Sequence, residues 1–126
     1  MAEGTQKRLQ AELEKFQAVQ KDIQKAVTVR QKLDAQLNEN TLVKEELDRV
    51  EEEAKVFKLV GPVLVKQDLS EARSNVQKRI DYINGELKRY DASIKDLEKK
   101  QEAHRDVLSK LQHQFQQAQV KAAAKA

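Results

Sequence analysis

The chain has no cysteine, no tryptophan, one proline, three glycines and an aromatic content of 4%. Without cysteine there are no disulfides and no thiolate metal sites, which suits a reducing compartment. No apolar run approaches 18 residues, and the opening "MAEGTQKRLQ" lacks the apolar core of a signal peptide. A soluble cytoplasmic protein with no membrane partner is expected. Clusters of one charge are also missing: 24 basic and 21 acidic residues are finely mixed and leave a net charge of +3. Mixed charge describes a solvated helix surface, not a basic nucleic-acid face. There is no glycine-rich phosphate loop, and His104 and His113 do not have metal-ligand spacing. No acid, base and nucleophile converge, so neither an enzyme nor a cofactor or metal is expected.

What remains is helix material. At 126 residues, 36% of them charged, the chain forms one domain at most, and Glu, Lys, Gln, Ala, Leu and Arg dominate it. Such charge density also occurs in unfolded chains, and periodicity decides between the two. Alternate steps of four and three from Leu69 land on Arg73, Val76, Ile80, Ile83, Leu87, Tyr90, Ile94, Leu97, Gln101, His104, Leu108, Leu111, Phe115, Ala118 and Ala122. Thirteen of these sixteen positions are apolar, which is a heptad seam and not disorder. A helix over about 69–120 follows, with residues 121–126 as a frayed, low-complexity tail. The first half repeats the rhythm through Leu9, Leu13, Phe16, Gln20, Ile23 and Val27, then drifts to Leu33, Leu37, Asn40 and Leu47. It predicts a helix over about 5–53. The two stripes match in length and cover one another if the chain folds back on itself.

Between them lies "KVFKLVGPVLVK", Lys55 to Lys66. Its β-branched runs flank Gly61-Pro62 and predict a β-hairpin over about 55–67. Gly61 supplies the positive φ of a tight reversal, and Pro62 removes one ladder donor. The hairpin is apolar on both faces and has no core of its own, so Val56, Phe57, Leu59, Val60, Val63, Leu64 and Val65 are expected to be buried between subunits. The fold class expected is mainly α: an antiparallel two-helix coiled-coil hairpin whose crossover is a β-hairpin that oligomerises into a shared β-platform.

This architecture resembles that of prefoldin subunits, and the residues extend the likeness. "VFKLVGPVLVKQDLSEAR", "VQKRIDYINGELKRYDASIKDLE", "LQAELEKFQAVQKD" and "RQKLDAQLNENTLVKEEL" resemble segments of the β-class subunits. One departure is "VEEEAK", Val50 to Lys55, where a more turn-like linker is expected. The resemblance implies a cytosolic, ATP-independent co-chaperone subunit. Its partners would be other α- and β-class prefoldin subunits in a heterohexamer. Its clients would be non-native chains, notably unfolded actin and tubulin, handed on to the cytosolic group II chaperonin.

On that reading the candidate client contacts lie near the chain termini, where nothing beyond holds the helices together. They are Leu9, Leu13 and Phe16 on the first helix and Leu108, Leu111 and Phe115 on the second. The same six side chains also read as ordinary seam core. Gln101 and His104 form a polar seam layer that either sets register or opens locally. Arg73 is expected to snorkel or to pair with an acidic neighbour, with no further role, and Asp68 to Glu71 suits a helix start. A structural coiled-coil scaffold without client binding is the competing reading.

Overall fold

The computed structural model describes residues 2–125. The chain runs through helix α1 (Ala2–Arg49), strand β1 (Val56–Val60), strand β2 (Val63–Gln67) and helix α2 (Leu69–Lys125). The mainly helical class with a β-hairpin crossover matches the expectation from periodicity, but several boundaries do not. α1 begins at Ala2, not near residue 5, and stops at Arg49, four residues short of Glu53. Glu51, Glu52 and Glu53 would set three carboxylates against the negative end of the helix dipole, which opposes propagation. The chain instead bends at Val50 and closes a turn in which the Ala54 N–H donates to the Glu51 carbonyl at 2.9 Å. At the other boundary, α2 continues to Lys125 through the segment expected to fray. Residues 121–125 are all alanine or lysine, both strong helix formers, and Ala126 lies outside the described residues.

α2 starts at Leu69 with Asp68 as its cap: the Asp68 carbonyl accepts from the Ala72 N–H at 2.9 Å, and its carboxylate accepts from the Ser70 hydroxyl at 2.7 Å. Glu71 in the first turn suits the positive end of the dipole.

β1 and β2 are antiparallel, with Val60 opposite Val63, Leu59 opposite Leu64 and Phe57 opposite Lys66. That register leaves Gly61-Pro62 as a two-residue loop. Gly61 has φ of 58°, and no other described residue has a positive φ. A positive φ at the first loop position followed by proline's fixed negative φ defines a type II′ turn, whose twist suits a hairpin.

The chain divides into two compact units. One is Val29–Tyr90, comprising the C-terminal part of α1, the hairpin and the N-terminal part of α2. It holds six buried apolar residues, Leu69, Ala72, Val76, Ile80, Ile83 and Leu87, all on α2. The other combines Met1–Thr28 with Asp91–Ala126, and its buried residues are Val19 and Ala26. In this unit Glu12 meets His104 while Ile23 shares a groove with Lys95 and Glu98, so its helices are antiparallel.

The seam of α2 lies where the heptad predicts. From Ile94 to Ala118 its covered positions are Ile94, Leu97, Gln101, His104, Leu108, Leu111, Phe115 and Ala118, and Ala122 is exposed. The seam of α1 differs from the expected one. Covered positions recur at Thr5, Leu9, Glu12, Phe16, Val19, Ile23, Ala26, Arg30, Leu33, Leu37, Asn40, Lys44 and Leu47. This alternation of four and three holds throughout, so there is no drift. Leu13 and Gln20 are exposed, and Glu12 and Val19 take the inward places assigned to them. Hydrophobicity alone misreads this stretch because polar residues, Glu12, Arg30 and Lys44 among them, occupy half-buried seam positions.

Candidate functional site

Among the described residues, an exposed and a partly covered apolar surface bear on function. The first is the hairpin. Directly paired residues share a face, so Val56, Lys58, Val60, Val63, Val65 and Gln67 form one side. Phe57, Leu59, Leu64 and Lys66 form the other. Leu59 is 68% exposed, Leu64 65% and Phe57 51%, and Val60, Val63 and Val65 are also exposed. Val56, next to the helical part of its unit, is half-buried. A two-stranded sheet with both faces apolar and both edges free is marginal by itself and invites pairing. All the sequence-predicted assembly residues therefore sit in one continuous element, with Gly61 and Pro62 at its apex.

The second surface is the terminal seam. Leu9, Phe16, Leu108, Leu111 and Phe115 are half-buried, and none is closed off as Val76 or Ile83 are. Leu13 lies outside the seam at 37% exposure. Five of the six predicted contact residues thus line one incompletely covered stripe, and Leu13 flanks it.

Sequence reasoning expected an acidic neighbour for Arg73, which is Asp48, but it missed the other polar links between the helices. His104 Nδ1–H donates to Glu12 Oε1. The Glu12 side chain is only 13% exposed and that of His104 26%. One layer away, the Arg105 guanidinium stands 5.8 Å from the centroid of the Phe16 ring, within cation–π range. In the hairpin-bearing unit, Arg73 donates through Nε and Nη2 to the Leu47 carbonyl, at 3.1 and 2.9 Å. Leu47 lies in the last turn of α1, where carbonyls have no helical partner, so Arg73 caps that helix from across the seam. Asp48 adds a longer contact at 3.9 Å. Arg89 lies over Tyr90 at 5.0 Å and donates to Glu86 at 2.5 Å. The hydrogen bond and charge of Glu86 raise the Arg89 pKa above its ordinary value. The detectable signal for Glu12 was its place in an unbroken heptad; for Arg73 a charged residue at a seam position pointed to an acidic neighbour but not to the Leu47 carbonyl.

Among the described residues no group of acidic, histidine or cysteine side chains is arranged to hold a metal ion, and no helix is long and apolar enough to cross a membrane.

Comparison with known proteins gives a consistent result. The family model for prefoldin subunits matches residues 10–115. The chain is 56% identical over 119 residues to prefoldin subunit 6 of Homo sapiens, covering 94% of this chain and 92% of the human one. It is 50% identical over 123 residues to prefoldin subunit 6 of Arabidopsis thaliana, covering 94% and 95% respectively. Among solved structures it is similar to the prefoldin beta subunit from Thermococcus strain KS-1, with a TM-score of 0.59, 25% identity, and coverage of 88% of this chain and 91% of that one.

Proposed function

This chain belongs to the prefoldin subunit family, and from that premise we propose that it is a β-class subunit of a heterohexameric, ATP-independent co-chaperone. The observation that carries this reading is the hairpin. Its apolar side chains lie on two faces, and one chain has nothing to cover them with. Other α- and β-class prefoldin subunits are the partners that complete the sheet. The half-covered terminal seam is the surface offered to clients. Fully burying one Leu or Phe side chain stabilises by about 1.5–3 kcal/mol, and these residues begin half-buried, so each contact contributes only part of that. Several subunits acting together then supply avidity without one tight site. Non-native polypeptides, including actin and tubulin, are the proposed clients, the cytosolic group II chaperonin is the proposed recipient, and the cytoplasm is the proposed location.

The test is the double substitution Leu111→Ser with Phe115→Ser in the assembled hexamer, read as suppression of aggregation of a chemically denatured protein. Reduced suppression with an intact hexamer is expected. Full suppression from an intact hexamer would rule out the terminal seam as the client surface and favour a scaffold subunit.

A further inference from the structure

The terminal seam is not uniform. Leu9, Leu108, Leu111 and Phe115 lie on the terminal side of the Glu12–His104 pair, and Val19 and Ile23 lie on its other side. The first group is half-buried, as are Phe16, Ile23 and Leu97, whereas Val19 is buried. The pair itself behaves differently. Glu12 is 13% exposed and accepts from the His104 ring, and parting the helices would break this hydrogen bond to a charged acceptor, a stronger bond than one between neutral groups. The Arg105–Phe16 stack holds the adjacent layer. Polar seam layers of this kind specify register at some cost in stability, and here the layer lies between the terminal stripe and the buried Val19.

We propose that Glu12 and His104, with Arg105 and Phe16 beside them, form a stop at which opening of the terminal seam halts. Helix separation begins at the termini and runs inward to this layer. The surface presented is then Leu9, Leu108, Leu111 and Phe115, whereas Phe16 belongs to the stop and is a positioning residue. This deepens the proposed client reading and rests on it for its functional consequence, but the stop itself is a property of the chain without client.

Backbone amide exchange on the assembled full-length protein tests it, with Glu12→Ala and His104→Ala as separate variants. In the unsubstituted protein, fast exchange is confined to the turns on the terminal side of residues 12 and 104. In either variant the fast region moves inward by at least one heptad, and amides of residues 13–19 and 97–103 exchange roughly tenfold faster. Combining Glu12→Leu with His104→Leu replaces the pair by an apolar layer and returns the boundary to its original place. Protection within Val29–Tyr90 reports that each variant remains folded. If either alanine variant keeps the original boundary while that unit stays protected, the stop does not exist. If it fails to fold, the reverse-charge variant Glu12→Lys is read in the same way, and an unmoved boundary there also rejects the stop. Aggregation suppression measured alongside separates the two ideas. A moved boundary with unchanged suppression supports the stop and removes the client reading, and altered suppression with an unmoved boundary does the opposite.

Discussion

Arg73 reaches from the first turns of α2 to the Leu47 carbonyl with two of its five donors, and so closes the end of α1 that the following glutamates would otherwise leave unfavourable. A planar fork suits one acceptor approached from two directions, and a lysine ammonium cannot reproduce it. Arg73→Ala is expected to lower the unfolding free energy by about 1–2 kcal/mol, measured by urea denaturation followed by circular dichroism. Arg73→Lys should recover less than half of that, and an unchanged midpoint for Arg73→Ala would remove the capping role. The interaction was not legible in the sequence. Twenty-six residues separate the partners, and the acceptor is a backbone carbonyl with no side-chain signature. Glu12 was hidden for a related reason: hydrophobicity reading selects Leu13, one residue away, although Leu13 is the more exposed of the two.

At the scale of elements, the hairpin was the most legible part of the chain. Gly61-Pro62 between two β-branched runs specifies turn, register and the composition of both faces before any packing is known. Its exposed leucines, Leu59 and Leu64, are the proposed assembly surface. Leu64→Asp places a carboxylate on the Phe57, Leu59 face, where burial without a partner costs several kcal/mol. Loss of the hexamer is expected by light scattering, with the helical content of the chain retained. A hexamer of normal mass would show that this face is not buried on assembly. The ends of the helices were less legible, because helix termination at Arg49 involves no glycine or proline. It depends instead on three glutamates opposing the helix dipole and on Arg73 arriving from another element.

At the scale of the whole molecule, the buried side chains among the described residues are all apolar and lie on α1 and α2. No described residue is fully buried. Pairing next to a type II′ loop makes Val60 and Val63 the hydrogen-bonded pair, so the backbone groups of Phe57, Leu59, Leu64 and Lys66 point outward from the sheet. These amides are expected to exchange rapidly in the isolated chain and to become protected on at least one edge once the other subunits are added. Equal exchange in both states would mean that assembly does not extend this sheet. The sequence by itself determined the helix–hairpin–helix order, the seam of α2, the two-faced hairpin and the family resemblance. Each of these is a local or periodic property, set by backbone preference and side-chain spacing along one element. Only the tertiary structure decided which α1 residues face inward, where α1 stops, and that Glu12 meets His104 and Arg73 meets Leu47. Those outcomes depend on which atoms an opposing helix brings within hydrogen-bonding reach, and spacing along a single helix carries no record of that.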